Sequence, residues 1–215
     1  ITVVGNGSAC VAGGHSYIIK KGQRFISNSA VASMGYDLPA AIGACVAQLE
    51  QEGEKKDIIL LTGDGSIQMN LQELQTIIHH HLPIKIFLIN NGGYHSIRQT
   101  QKNFFGEPLV GIGVDSGDLS FPDMKKLSWA YGYPYYSACH NKELAEAIEK
   151  TLAAEGPAIC EVFVTTDQNF EPKSSAKRMP DGTLTSPPLE DLSPFLPEEE
   201  MDANMIIPRI KPEDV

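Results

Sequence analysis

Two groups of polar residues, each at the end of an apolar run, have the chemistry of a metal site. The tetrapeptide Gly-Asp-Gly-Ser occupies residues 63–66, and Asn-Asn-Gly-Gly occupies residues 90–93. Asp64 supplies a carboxylate, Asn91 supplies an amide oxygen, and Gly93 leaves a backbone carbonyl free to turn inward. Mg²⁺ prefers oxygen ligands and usually shares its coordination shell with substrate phosphates. We therefore expect Asp64, Asn91 and Gly93 to be metal ligands.

Residues beside these ligands are suited to binding an anion. Gly65 and Ser66 begin the segment after the first apolar run, where unpaired N–H groups and the helix dipole favour negative charge. Gly-Asn-Gly-Ser at 5–8 follows another apolar run and can hold phosphate oxygens in the same way. This segment is not a dinucleotide fingerprint, because Cys10 stands in place of the third glycine. The candidate phosphate-binding residues are Gly5, Asn6, Gly7, Ser8, Gly63, Gly65 and Ser66.

Two other interpretations of these groups stay open at this point. Asp-Gly is a common turn, and Asn-Asn-Gly-Gly is also found in ordinary loops that end a strand. The occurrence of both groups at the ends of two successive buried strands favours a functional site. The same edge of a sheet, with Mg²⁺, also suits a non-catalytic module that binds a nucleotide or another diphosphate.

The elements that must position these residues alternate between strands and helices. This alternation predicts an α/β fold with a doubly wound, mostly parallel six-stranded sheet and helices on both faces. Such sheets bind ligands at the carboxyl edge, where segments 63–66 and 90–93 lie. Apolar runs predict strands at 1–4, 25–27, 57–62, 84–90, 134–138 and 158–164. Apolar residues at helical spacing predict helices near 8–19, 36–50, 69–82, 122–131 and 141–154.

The metal-site residues belong to a larger pattern that resembles a known family. Gly-Asp-Gly-Ser, a strand–helix–strand crossover and Asn-Asn form the motif of thiamine diphosphate (ThDP)-dependent enzymes. Residues 33–44, Ser-Met-Gly-Tyr-Asp-Leu-Pro-Ala-Ala-Ile-Gly-Ala, are similar to a segment of acetolactate synthase (acetohydroxyacid synthase) large subunits. Segments 179–182 and 188–194 are similar to the C-terminal signature of that group. The chain most resembles the C-terminal, diphosphate-binding domain of those enzymes.

The resemblance implies that the cofactors are thiamine diphosphate and Mg²⁺. It implies that Met34 lies under the cofactor and holds its bent conformation, and that the Ala32 carbonyl contacts the aminopyrimidine. It also places the segment 94–97 over the thiazolium ring. The cofactor-binding residues implied in this way are Ala32, Ser33, Met34, Tyr94, His95, Ser96 and Ile97.

The resemblance also implies an activity and partners. Members of the family decarboxylate a 2-oxo acid and transfer the two-carbon unit to an acceptor carbonyl. Their activating glutamate lies in a separate pyrimidine-binding domain, which nothing in this chain matches. We therefore expect no catalytic residue here, no activity of this chain alone, and assembly into a homodimer or tetramer. The chain begins at Ile1 inside an apolar run, which indicates a fragment cut at a domain boundary.

Two residues depart from the acetolactate synthase pattern. His95 stands where the group usually has glycine, and Thr100 stands where it has a tryptophan that shapes the substrate pocket. A smaller side chain at position 100 opens volume, and an imidazole at position 95 adds a group that can donate to a polar acceptor. These departures predict a bulkier or more hydroxylated acceptor substrate.

A change in composition predicts a domain boundary. Residues 1–166 form the cofactor-binding domain, whereas apolar periodicity fades after residue 167. Eight of the 14 prolines lie between positions 172 and 212. We expect 167–215 to be an irregular, mostly extended, acidic arm, with disorder as the alternative.

Charge and hydropathy argue against nucleic-acid and membrane partners, and the cysteines indicate a compartment. The net charge is −10, and no Lys/Arg cluster offers the footprint that a nucleic acid requires. No apolar run approaches the ~20 residues that a membrane span requires. The four cysteines have no Cys-x-x-Cys spacing, which predicts free thiols in a reducing cytoplasm.

Overall fold

Six strands form an all-parallel sheet in the computed structural model, which describes residues 1–52 and 57–210. Contacts divide the chain into two compact units, Ile1–Gln168 and a second unit that begins at Asn169. The strand order in the first unit is β2-β1-β3-β4-β6-β5, and every neighbouring pair is parallel. The strands are β1 (Thr2–Val4), β2 (Phe25–Ile26), β3 (Ile58–Gly63), β4 (Ile84–Asn90), β5 (Tyr135–Ala138) and β6 (Ala158–Phe163).

Helices connect these strands, and local sequence sets where several of them begin and end. The helix α5 begins after Asp123, whose carboxylate accepts a hydrogen bond from the Lys126 amide at 3.0 Å, and it ends at Gly132 with φ 80°. The helices are α1 (Ser8–Ser16), α2 (Asp37–Glu52), α3 (Glu73–His79), α4 (His95–Phe104), α5 (Met124–Tyr131) and α6 (Asn141–Ala153), with 3₁₀ turns at Ile67–Asn70 and Val114–Ser116.

Apolar side chains on both faces of the sheet form the core. Along β3, Ile58 and Leu60 belong to a large cluster that also contains residues of α2, α3 and α5. The alternating residues Ile59 and Leu61 pack against a second cluster that contains Ala147 of α6. Because successive side chains of a strand point to opposite faces, helices cover both faces of this sheet. The doubly wound α/β fold is confirmed.

The topology brings the predicted site residues together. From β1 the chain first adds β2 on one side and then returns to add β3 on the other side. Parallel sheets open a crevice at the carboxyl ends of the strands where the winding direction reverses in this way. The segments that follow β1, β3 and β4 therefore lie next to one another.

One helix of the first unit was not predicted. The helix α4 has three buried polar residues, His95, Arg98 and Gln99, on its inner face. A search for apolar residues at helical spacing misses such a helix, because its buried side is polar. The predicted helix at 69–82 is also shorter, since a 3₁₀ turn precedes α3.

The second unit contains short regular elements where we predicted a mostly extended arm. The strands β7 (Lys177–Arg178) and β8 (Leu184–Thr185) form an antiparallel ribbon, and α7 spans Glu198–Asn204. Three glutamates in the first turn of α7 are favourable at a helix N-terminus. Across 1–52 and 57–210, no helix has the length and apolar character that crossing a membrane requires.

Candidate functional site

A cavity opens at the carboxyl ends of β1, β3 and β4, and it collects most of the predicted site residues. Three predicted residues, Gly5, Ala32 and Ser33, are not among the described residues that line it. The lining consists of Asn6, Gly7, Ser8, Met34, Gly63, Asp64, Gly65, Ser66, Asn91, Gly93, Tyr94, His95, Ser96 and Ile97.

The Asp64 carboxylate is buried at this cavity and is held by backbone amides. Its Oδ1 accepts a hydrogen bond from the Gly65 amide at 2.9 Å, and its Oδ2 accepts one from the Gly93 amide at 2.8 Å. Burial raises the pKa of Asp64 to about 6, against the effect of these two bonds and of the Arg98 charge. Each oxygen keeps a free lone pair. The site thus holds a carboxylate whose negative charge a bound cation would stabilise.

The side-chain amide of Asn91 uses its nitrogen in a hydrogen bond but not its oxygen. Its Nδ2 donates to Ser8 Oγ at 2.6 Å, so the amide oxygen is not used in this contact. Asn91 Oδ1 is buried and has no hydrogen-bond partner among the described residues. A buried polar atom without a partner costs about 1–3 kcal/mol of stability. Such an atom beside a buried carboxylate is well suited to bind a metal ion.

The third predicted ligand, the Gly93 carbonyl, lies in a loop that only glycine fits. Gly93 has φ 138°, and a Cβ atom there would lie 2.0 Å from the Ile112 carbonyl oxygen. The His95 amide donates to the Gly93 oxygen at 3.1 Å, which leaves one lone pair on that oxygen. The carbonyl can therefore still bind a cation.

The loop after β1 supplies the neighbourhood expected for a phosphate. Gly7 (φ 80°) precedes the first residue of α1, Ser8, and both residues line the cavity. The first N–H groups of a helix have no partner within the helix and attract anions. Asn6 Nδ2 donates to the Ser33 carbonyl at 2.7 Å, so Ser33 supports the loop from outside the cavity. Gly5 is required for packing, since a Cβ would lie 2.4 Å from the Asp37 carboxylate.

In the segment after β3, the backbone N–H of Gly65 does not have the predicted role. We predicted that Gly65 offers its N–H to an anion, but this amide is bonded to the Asp64 carboxylate. The Ser66 hydroxyl accepts a hydrogen bond from the Gly35 amide at 3.0 Å and so holds the turn that carries Met34. Met34 is partly exposed, at 37 %, and lines the cavity.

The ring of His95 is buried and both of its nitrogens are used by the protein. Nε2 lies 2.7 Å from the Gln168 carbonyl oxygen, and Nδ1 lies 3.2 Å from Arg98 Nη1. A carbonyl can only accept and a guanidinium can only donate, so the proton resides on Nε2. The predicted donation from His95 to an acceptor substrate would require breaking the bond to Gln168.

The structure also gives no support for the prediction that Thr100 shapes the substrate pocket. Thr100 is exposed, and its hydroxyl donates to the Ser96 carbonyl one helical turn earlier. It is not among the described residues that line the cavity.

Sequence reasoning missed the residues that support residues 90–93, the loop that carries two of the predicted metal ligands. Arg98 is buried beneath the loop, and Asp115 holds its guanidinium with bonds of 2.8 Å and 2.9 Å. The Arg98 side chain lowers the pKa of Asp115. Asn90 accepts a hydrogen bond from the Gly92 amide at 3.0 Å and donates to the buried Glu161 at 2.7 Å. The one feature of the sequence that could have indicated this support is Arg98 itself, an arginine seven residues after Asn91 in a segment with few apolar residues.

Comparison with known proteins identifies the family. The model described as "Thiamine pyrophosphate enzyme, C-terminal TPP binding domain" matches residues 5–162. The acetolactate synthase large subunit of Cyanidium caldarium is 38% identical over 149 residues, which cover 69% of this chain and 24% of that protein. Acetolactate synthase 2, chloroplastic, of Nicotiana tabacum is 32% identical over 179 residues, which cover 78% of this chain and 26% of that protein. The chain spans about a quarter of the length of these relatives.

A solved structure shows the same fold. The benzoylformate decarboxylase from Polynucleobacter necessarius superposes with a TM-score of 0.67 at 22% sequence identity, over 79% of this chain and 30% of that one. The resemblance to ThDP enzymes of the acetolactate synthase group is thereby confirmed. Because the family model covers well over half of the 215 residues, this chain belongs to the thiamine pyrophosphate (thiamine diphosphate) enzymes, as their C-terminal TPP binding domain.

Proposed function

We propose that this chain binds Mg²⁺ through Asp64, Asn91 and the Gly93 carbonyl, and through that ion the diphosphate of ThDP. The unpartnered, buried Asn91 Oδ1 carries the proposal, since it lies with a buried carboxylate at one cavity. The ligand set is entirely oxygen, which Mg²⁺ prefers. The N-terminus of α1 at the same cavity supports a place for phosphate oxygens.

We further propose that the complete protein is a 2-oxo acid decarboxylase or carboligase related to acetolactate synthase. When bound, ThDP supplies the carbanion chemistry, and the protein binds and orients it. Met34 at the cavity supports a role in holding the cofactor conformation. The residues of this chain anchor the diphosphate and position the rest of the cofactor.

Several features of the complete protein follow as proposals. Residues 1–166 act as the cofactor-binding domain and 167–215 as a separate arm. A pyrimidine-binding domain of the same enzyme completes the site within a homodimer or tetramer. The four cysteines have no Cys-x-x-Cys spacing, which suits a reducing compartment, and we propose the cytoplasm.

A binding experiment with the full-length protein tests the metal assignment. ThDP is titrated with and without Mg²⁺ into the wild type and into Asp64→Asn, which preserves size but removes the charge. We expect Mg²⁺-dependent binding in the wild type and a loss of more than about 100-fold in the variant, since even supporting residues of metal sites contribute ~10- to 100-fold. Asp57→Asn, at an exposed position, is the matched control.

Two results of this experiment would contradict the proposal. Equal ThDP affinity of wild type and Asp64→Asn would show that Asp64 is not a ligand. The same titration with ADP tests the alternative, a nucleotide-binding module. Tighter Mg²⁺-dependent binding of ADP than of ThDP would favour that module.

A further inference from the structure

The side chain of Arg98 is buried directly behind the proposed metal loop. It is only 1% exposed and is one of the largest fully buried side chains in the described part of the chain. A buried guanidinium is costly unless its N–H groups are all bonded. Arg98 meets this requirement, and the identity of its partners indicates what the residue does.

All five N–H groups of Arg98 have a protein acceptor. Nε and Nη2 donate to the two oxygens of Asp115 at 2.8 Å and 2.9 Å, which is the paired geometry that a planar guanidinium favours. The second N–H of Nη2 donates to the Gly92 carbonyl at 3.1 Å. Nη1 donates to the Asn91 carbonyl at 3.3 Å and to His95 Nδ1 at 3.2 Å. The ion pair with Asp115 thus fixes the plane of a group that holds two consecutive loop carbonyls.

The backbone around this contact leaves little room for adjustment. A Cβ atom on Gly113 would lie 2.0 Å from the Gly92 oxygen and 3.2 Å from Arg98 Nη2. Gly113 also pairs with Gly93 in an antiparallel bridge. The Gly92 carbonyl is therefore confined between Gly113 and the guanidinium.

We propose that Arg98 is the positioning residue that selects which oxygens of the loop can reach the metal. Arg98, which is not among the described residues that line the cavity, holds the carbonyls at 91 and 92 toward itself, whereas Gly93 lines the cavity. The Gly93 carbonyl and the Asn91 side-chain oxygen are left for the ion. This inference rests on the metal site proposed above, and it adds a source of metal selectivity that lies outside the ligand set.

Arg98 thereby favours Mg²⁺ over Ca²⁺. Mg²⁺ demands six ligands near 2.0–2.1 Å in regular octahedral geometry, whereas Ca²⁺ accepts 6–8 oxygens at 2.3–2.6 Å in flexible arrangements. A loop that offers few, fixed oxygens suits the smaller ion. Without Arg98, the carbonyls of Asn91 and Gly92 lose their bonds to the guanidinium, and the loop is held less strictly to the geometry of the smaller ion.

The test measures metal affinity rather than turnover. Mg²⁺ and Ca²⁺ are titrated separately, by calorimetry, into the metal-free full-length protein with excess ThDP, and protein-free titrations are subtracted. For Arg98→Gln we expect Mg²⁺ affinity to fall ~10- to 100-fold, as for other supporting residues of metal sites. We expect Ca²⁺ affinity to change less, so that the ratio of Mg²⁺ to Ca²⁺ affinity falls.

Further variants distinguish the positioning effect of Arg98 from the effect of its charge and from an effect on folding. Arg98→Lys keeps the charge but lacks the fork, so we expect a smaller fall of the same ratio. Lys102→Gln removes a cation from an exposed position on the same helix and should leave both affinities unchanged. If Arg98→Gln does not fold, Asp115→Asn decides, because the Asp115 side chain is 38% exposed and the change removes the ion pair that fixes the plane of the guanidinium.

The outcomes distinguish this inference from the metal assignment itself. Absence of ThDP-dependent metal binding in the wild type would refute the proposed function. Normal binding in the wild type, with an unchanged Mg²⁺ to Ca²⁺ ratio in folded Arg98→Gln or Asp115→Asn, would overturn only the role of Arg98. A lower unfolding temperature with an unchanged Mg²⁺ to Ca²⁺ affinity ratio would also overturn the positioning role, since Arg98 would then contribute only to stability.

Discussion

Glycines in and beside the proposed metal loop, residues 90–93, are restricted by close backbone contacts. A Cβ at Gly93 would lie 2.0 Å from the Ile112 oxygen, and one at Gly113 would lie 2.0 Å from the Gly92 oxygen. Real Cβ atoms essentially never approach backbone atoms so closely. The two glycines allow the strand-like pairing of Gly93 with Gly113, and the Gly93 amide donates to Asp64 Oδ2.

The substitution Gly93→Ala tests this restriction. We expect it to destabilise the fold by at least about 3 kcal/mol, because it adds a backbone clash to an unfavourable φ of 138°. Gly106→Ala is the matched control, since Gly106 also has a positive φ, of 77°, but has open space around its Cβ position. The control should cost only about 1–2 kcal/mol. Chemical denaturation measures the free energy of unfolding of both variants. Equal losses of stability would mean that the backbone relaxes to remove the clash at Gly93.

The sequence predicted that Asp64 and Asn91 lie together at the edge of the sheet, but it did not predict the residues that support them, and the reason is physical. Asp64 and Asn91 each follow a buried strand, so their position at the sheet edge can be inferred from apolar runs. Arg98 and Asp115 act through a contact between side chains 17 positions apart, which no local pattern reveals. The obstacles at His95 and Thr100 also come from bonds within the folded protein, namely those to Gln168 and Ser96.

Among the elements, β4 and α6 are joined by a buried charge. Lys85 of β4 is 1% exposed, and its Nζ donates to the Ala154 carbonyl and, at 2.6 Å, to the Gly156 carbonyl. These carbonyls follow the C-terminus of α6, where the helix dipole favours a cation. The lysine thus connects a central strand of the sheet to the end of a helix that covers it. Such a residue cannot be inferred from a strand pattern, which predicts an apolar side chain there.

Replacement of Lys85 by methionine measures this connection. Lys85→Met keeps the length of the side chain but removes its donors, and we expect a loss of about 1.5–3 kcal/mol, typical of hydrogen bonds from a charged group. Lys150→Met on α6, at an exposed ion pair, should have far less effect. Urea unfolding of both variants provides the comparison. Unchanged or increased stability of Lys85→Met would show that the buried charge costs as much as its bonds contribute.

At the scale of the whole molecule, the cavity supplies binding groups but few groups for proton transfer. Among the described residues that line it, Asp64 is the one acidic side chain, and none is a glutamate. The chain spans about a quarter of the length of its acetolactate synthase relatives. The residues present are those that we propose to hold a diphosphate, and the requirement for another domain in catalysis stays a prediction.

This division predicts the behaviour of the chain alone. With pyruvate, ThDP and Mg²⁺, residues 1–215 should release no CO₂ above a protein-free control, whereas the full-length protein should be active. The physical reason is that Asp64, the acidic group at the cavity, is assigned to the metal and is not free to transfer protons. Circular dichroism establishes that the isolated chain is folded. Sustained decarboxylation by the folded chain would disprove the two-domain arrangement.

The hydrogen bond between Asn91 and Ser8 joins residues 83 positions apart, and it has a consequence for binding thermodynamics. An amide at the cavity has two orientations related by a half-turn, and only the one with Oδ1 inward can bind a cation. If both were equally populated, the apparent dissociation constant would be about twice the intrinsic one, because only half of the molecules would be competent. In the structure the amide already has the orientation in which Nδ2 is bonded to Ser8 and Oδ1 has no partner among the described residues. Under the proposed metal assignment, a site in which Asn91 already has this orientation binds the ion without that twofold loss of affinity.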